Sequence, residues 1–217
     1  MRSFILSLAL LLALGQTAWA QWPDERDSKA SFDNSAAGLL SFGVAGQTAS
    51  LLHQEDYQAP MGVGANFRLQ FHNRINTEWA LHYMQADFGE DVFRKDIFVS
   101  ANVLFYPFPG NEDFEESWRP FISLGGSMNY GALEANATPT NQVDRWNPAL
   151  ALGLGTHLNL TPKFDLSIST QYMLEFGEEL SRQTSNGRLL LLSLPSDRVE
   201  QRFLFSLSLN YKIADLW

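Results

Sequence analysis

Phe203-Leu204-Phe205-Ser206-Leu207-Ser208-Leu209-Asn210-Tyr211-Lys212-Ile213 is the stretch whose reading decides the fold. Phe203, Phe205, Leu207, Leu209, Tyr211 and Ile213 fall on one parity; Leu204, Ser206, Ser208, Asn210 and Lys212 fall on the other. Successive side chains of a strand point to opposite faces, so the alternation places one face in an apolar medium and the other in a polar one. A soluble sheet meets that pattern with its apolar face inward, and a membrane-spanning strand meets it with its apolar face outward.

Seven earlier segments carry the same alternation, at about 38–48, 61–72, 77–86, 95–106, 119–130, 146–160 and 164–175. The second is the cleanest: Met61, Val63, Ala65, Phe67, Leu69 and Phe71 oppose Gly62, Gly64, Asn66, Arg68, Gln70 and His72. Each segment reaches the roughly 9–11 residues that a tilted strand needs to cross hydrocarbon. Gly62, Gly64, Gly125, Ala149, Gly153 and Gly155 all keep company with the polar set. In a soluble ligand-binding barrel the apolar face points inward and small residues need not cluster on the polar face. Small residues among polar ones suit a narrow lumen filled by a few long charged side chains. The expected fold is all-β: an eight-stranded antiparallel up-and-down transmembrane β-barrel. Closure removes the sheet edges, whose backbone groups lipid could not satisfy.

The start of the chain assigns a route. Arg2, the apolar run Phe4 to Leu14 and Ala18-Trp19-Ala20 form the three parts of a secretory signal, so residues 1–20 are expected to be removed. That run is too short for a membrane-spanning helix, which needs about 20 residues. Residues 21–37 are polar, with Asp24, Glu25, Asp27 and Asp33, and are expected to form a periplasmic lead-in to a barrel over 38–217. The chain has no cysteine, hence no acylation site and no disulfide. A net charge of −9, or −10 once Arg2 is lost, argues against nucleic acid as a partner.

The connections alternate in length. Those at 73–76 and 161–163 are short and are expected on the periplasmic side; 49–60, 87–94, 131–145 and 176–197 are longer and are expected outside the cell. The connection at 107–118 is long and is nevertheless placed in the periplasm by strand parity. Tyr57, Tyr130 and Trp146 at outer ends, with Tyr106, Phe108, Trp118, Phe164, Tyr211 and Trp217 at inner ends, read as two interfacial girdles. Leu189 to Leu194 is an apolar run in the last long connection, and an exposed run of that kind is an interaction site by default.

Arg119-Pro120-Phe121-Ile122-Ser123-Leu124-Gly125-Gly126 and the Gly-rich segment from Leu152 to Pro162 resemble the porin-family, OmpA/OmpX-type outer-membrane β-barrel domain. The resemblance runs from about residue 38 to the end. It implies a bacterial outer membrane, contact with its lipid and lipopolysaccharide, and delivery by periplasmic chaperones to the outer-membrane insertion machinery. In that family the machinery reads the final strand, here Leu209, Tyr211, Ile213 and Trp217. A monomer is expected.

On the polar faces lie Arg68, Glu78, His82, Asp96, Arg119, His157, Asp165, Glu175, Arg198, Glu200, Arg202 and Lys212. Both signs occur at comparable depth, and buried charges persist only when paired and hydrogen-bonded. A lumen ion-pair network of Arg68, Glu78, His82, Asp96, Arg119, Glu200 and Arg202 is therefore expected, with Arg68, Glu78, Glu200 and Arg202 meeting because strands two, three and eight are near neighbours of strand one in a closed barrel. The expected role is structural or surface-interacting. The alternatives are a narrow porin-like conduit for small or apolar solutes and a lipid-modifying enzyme. For the last, Glu78 and His82 share a face and Ser100 lies on the next strand, yet no motif of the triad kind is present. No residue is assigned as catalytic, no metal-ligand spacing occurs, and no cofactor is expected.

Overall fold

The computed structural model describes residues 38–51, 59–87, 91–108, 118–135, 138–185 and 188–215; the expected leader (1–20) and lead-in (21–37), Tyr57 and Trp217 lie outside the described residues. Eight strands follow one another: β1 (Leu39–Leu51), β2 (Met61–His72), β3 (Ile75–Asp87), β4 (Val92–Phe105), β5 (Trp118–Ala135), β6 (Thr138–Asn159), β7 (Phe164–Ser185) and β8 (Arg188–Asp215). Each pairs antiparallel with its successor, and β8 pairs back onto β1 to close the barrel.

Closure is staggered. Cross-strand neighbours followed from Lys212 run through Ser41, Arg68, Glu78, Asn102, Gly125, Ala151 and Met173 and return to β8 at Arg202, ten residues from the start. A closed sheet tilts its strands and shifts its register in this way, typically by 35–45° of tilt. The stagger decides which charges meet.

Outside, Phe42, Val44, Val63, Phe67, Trp79, Leu81, Val99, Leu124, Leu152 and Leu207 form a continuous exposed apolar belt. So large an apolar band costs a protein dearly in water and is what hydrocarbon requires. Aromatic rings lie along it: Tyr130 and Trp146 at 5.1 Å on the side of the long hairpins, Phe164 and Tyr211 at 5.0 Å on the opposite side. Tyr106 departs from the girdle expected of it. It is buried inside the barrel, its hydroxyl within hydrogen-bond distance of Asn76 at 3.2 Å and His157 at 3.0 Å, and its ring faces Phe121. A position just past the end of β4 keeps the inward phase of that strand, which parity alone dictates.

The expected long connections at 131–145 and 176–197 are largely paired strand. β5 and β6 stay paired up to Ala135 and Thr138, and β7 and β8 up to Ser185 and Arg188. Pairing of β6 with β7 stops at Ala149 and Glu175, so two hairpins rise beyond the common wall. Their polarity is reversed relative to the belt: Leu133, Val143, Leu180 and Leu191 pack inward, whereas Gln142, Asp144 and Glu179 face water. In β7 and β8 the alternation also changes phase. Gly177, at φ +129°, forms a bulge beside Glu175, in a conformation L side chains rarely adopt. Before it Glu175 points inward on an odd number; beyond it Leu180 does so on an even one.

Small residues let the lumen close. A Cβ on Gly155 would strike the ring of Phe121 and lie 2.7 Å from the backbone oxygen of Ile168. Gly155→Val is expected to cost about 1–3 kcal/mol, the usual range for overpacking, read as a lower urea midpoint of the refolded barrel. No loss would mean that the lumen has slack at this level.

Candidate functional site

The inward face of β4 shows the lumen in order, from the hairpin end downward: Val92, Arg94, Asp96, Phe98, Ser100, Asn102, Leu104 and, just past the strand, Tyr106. Along β4 an apolar cap, a charged layer, an apolar shelf and a polar middle follow one another, and below them Leu104 and Tyr106 pack with Phe121.

The upper charged layer is a ring of six groups from β4, β6, β7 and β8. Arg94 Nε lies 3.0 Å from Asp96 Oδ2, and Arg202 Nη1 lies 3.5 Å from Asp96 Oδ1. Arg202 Nη2 is 3.0 Å from Glu175 Oε2, and Arg145 Nη2 is 3.0 Å from Glu175 Oε1. Arg145 Nη2 approaches Glu200 Oε2 at 2.6 Å, and Arg94 Nη2 closes the ring at 3.3 Å from Glu200 Oε1. Arg202 Nη2 crosses it, 2.8 Å from Glu200 Oε1. Three guanidinium groups thus balance three carboxylates. Asn129 and Asn147 donate to Glu175 at 3.0 and 3.2 Å, adding neutral donors to its charged ones. Above the ring pack Val92, Leu133, Ala135, Leu180 and Leu191; below it the Arg202 guanidinium stands 5.4 Å over the Phe98 ring. Excluding water on both sides strengthens the pairing and makes any missing partner costly.

The lower layer centres on Arg68. Its Nη2 donates to both oxygens of Asp165 at 2.6 and 2.7 Å, and its Nη1 lies 2.8 Å from His157 Nδ1. His157 also meets Ser167 Oγ at 2.5 Å, and its ring stacks on Phe121 at 4.5 Å. Asn210 donates to Asp165 at 3.0 Å and accepts from Asn66 at 2.9 Å. At the floor Arg119 donates to Gln70 and to the Asn73 carbonyl and lies 4.3 Å over the Tyr106 ring, while Lys212 donates to Asn159.

The residues singled out from sequence are therefore divided between two layers. Asp96, Glu200 and Arg202 belong to the upper one, and Arg68 and Arg119 to the lower. Glu78 accepts from Asn66 at 3.4 Å, and His82 lines the space between the layers with its Nδ1 unpartnered. The single meeting expected of Arg68, Glu78, Glu200 and Arg202 does not occur. The stagger brings Ser41, and beyond it Lys212, beside Arg68, and carries Arg202 ten residues up β8. Arg94, Arg145 and Asn129 were not singled out; Arg94 and Arg145 lay at the margin of their segments, where the outward residues already turn polar. His82 pairs with Phe98 and Ala80 with Ser100, so Ser100 is diagonal to His82 and does not bond its Nδ1. Leu209, Tyr211 and Ile213 are exposed on the outer face of β8. Among the described residues no group of three or more histidines or carboxylates is arranged to hold a metal.

No protein-family model and no curated protein matches the chain. Solved structures do. Ail, the attachment invasion locus protein of Yersinia pestis, is 18% identical, with 82% of this chain and 99% of that one covered and a TM-score of 0.52. OprG, an outer membrane protein from Pseudomonas aeruginosa, is 15% identical over 82% of this chain and 97% of that one, with a TM-score of 0.50. A major outer membrane protein from Thermus thermophilus is 11% identical over 80% and 99%, with a TM-score of 0.53. At these identities the likeness shows the fold, a closed antiparallel eight-stranded barrel of the outer-membrane, OmpA/OmpX type.

Proposed function

We propose that this chain is a non-conducting outer-membrane barrel of a Gram-negative envelope that works as a surface-contact and structural protein through its two protruding hairpins. The observation that carries the reading is the double closure of the lumen: six paired charges, five of them buried, in a ring above, and the Arg68 to Asp165 network below. A wall of eight strands leaves an interior just wide enough for side chains, and here ion pairs close it at two levels. Contact is left to the exterior. There the hairpin of β7 and β8 exposes Leu190 and Leu194, with Phe176 and Val199 nearer the wall, the kind of apolar patch that marks a docking site. The same architecture carries a protein named for attachment and invasion. Lipopolysaccharide and lipid surround the belt, and Leu209, Tyr211 and Ile213 offer the insertion machinery the aromatic-apolar final strand that the family resemblance implies.

Cells expressing the full barrel, and a variant in which 178–194 is replaced by a tight turn, are to be compared for adherence to host-cell and abiotic surfaces, with heat-modifiable gel mobility confirming that the variant folds. Adherence is expected to fall several-fold with the hairpin removed. In planar bilayers the wild type is expected to show no steady conductance. Unchanged adherence by a folded variant would overturn the surface-contact role. Large steady conductance would favour the second reading, a narrow conduit, for which the space between the two layers is the supporting observation. An enzyme reading has only the diagonal of Glu78, His82 and Ser100 to rest on, and a lipid A profile altered by expression would support it.

A further inference from the structure

Between the two charged layers the barrel encloses a chamber with about 30 Å³ in which the centre of a water molecule can sit. That is room for two or three water-sized guests, at roughly 10–15 Å³ each. Its roof is apolar, made by Phe98, Met173 and Leu204, and its walls mix polar side chains with Ala45, Ala80 and Phe121. The charges of the wall are lopsided. Glu78 lines the chamber, and among the described residues no lysine or arginine does. Arg68, the cross-strand neighbour of Glu78, has turned its guanidinium away to Asp165 and His157.

The polar atoms are lopsided in the same sense. Gln47 Oε1, Asn66 Oδ1 and Asn102 Oδ1 are buried without a hydrogen-bond partner, and all three residues line the chamber at 8% exposure or less. The orientation of Asn66 is set by its amide nitrogen, which donates to Asn210 Oδ1 at 2.9 Å and to Glu78 at 3.4 Å, so its oxygen is the atom left over. Buried acceptors without donors each cost free energy, and several facing one space call for a guest that satisfies them together. One carboxylate with neutral amide and hydroxyl oxygens is too little charge to strip a divalent ion, whose sites gather several carboxylates or retained waters.

We infer that the chamber is a binding site for one small monovalent cation, with Glu78 supplying the charge and Gln47, Asn66 and Asn102 the neutral oxygens. The ion, with one or two of its waters, fills the volume and pairs the orphaned acceptors. The site stands apart from the hairpins, so its failure would leave the surface-contact role untouched.

The test uses the full barrel refolded in detergent micelles and unfolded by urea at equal ionic strength in KCl, NaCl or choline chloride. Binding to the folded barrel alone lowers the unfolding constant by roughly tenfold at a salt concentration ten times the dissociation constant. The urea midpoint is therefore expected to be higher in KCl or NaCl than in choline chloride. Glu78→Gln should abolish that difference, and Glu134→Gln, beside Lys95 and away from the chamber, should leave it intact. Crystals of the wild type grown in RbCl give a direct answer if Glu78→Gln does not refold: an anomalous peak is expected in the chamber beside Glu78. Equal midpoints for the wild type in all three salts, a salt effect that survives Glu78→Gln, or a chamber without rubidium would each overturn the site and leave it holding water alone.

Discussion

Arg202→Ala is expected to lower the unfolding free energy of the refolded barrel by about 3–5 kcal/mol, because it leaves buried carboxylates without their counter-charge. Arg202 reaches Asp96, Glu175 and Glu200 at once, at 3.5, 3.0 and 2.8 Å. Removing it opens the ring on one side and cuts its cross-link, so Arg94 and Arg145 remain to hold three acids. Lysine is a poor substitute, since a single ammonium lacks the planar fork that spans several carboxylates. Urea titration followed by tryptophan fluorescence measures the loss. A second titration identifies its origin: Arg202→Ala combined with Glu200→Gln should lose less than the two single changes added together, since groups in one network couple. A loss under about 1 kcal/mol, or strict additivity, would mean that the ring is hydrated and contributes no closure.

Leu207→Arg is expected to cost about 2–4 kcal/mol if the side chain meets hydrocarbon near the midplane, and Ser208→Ala is expected to be mild. The two are chain neighbours on opposite faces of the wall. Leu207 is 47% exposed and pairs across from Ile168, deep in the belt, whereas Ser208 points inward and accepts from Asn210 at 3.2 Å. A soluble barrel would respond in the opposite order, tolerating a charge at an exposed site. Titration in bilayers of defined lipid separates the two environments, and equal sensitivity at 207 and 208 would argue against alternation across a membrane.

The outer ends of β5 to β8 resisted a reading by pattern. Up to Trp146 on β6 the outward residues are apolar, and beyond it Gln142 and Asp144 are polar while Val143 turns inward. A rule tuned to a lipid-facing strand sees no strand there, although the backbone pairing continues to Thr138. In β7 and β8 the bulge at Gly177 adds a shift of phase, so Leu189 to Leu194 could be seen as apolar but not assigned to a face. Tyr106 shows the same limit in miniature, an aromatic residue at a strand end whose direction is set by β4 and not by its chemistry.

Period-two alternation, a property of the chain itself, was enough to determine eight strands, the faces shown along the belt, and a barrel with its apolar face outward and charges within. Charges such as Arg68, Asp96, Glu200 and Arg202 could be placed on the inner face from sequence alone. Which charge meets which was decided only in three dimensions. Adjacency of strands suggested that β8 would offer Arg202 to Arg68, but closure with a ten-residue stagger offers Lys212 at that level and lifts Arg202 to the ring of Asp96, Glu175 and Arg94. The register of a closed sheet depends on every pair around the circumference, and a side chain a few ångströms long senses only the neighbours that this sum delivers.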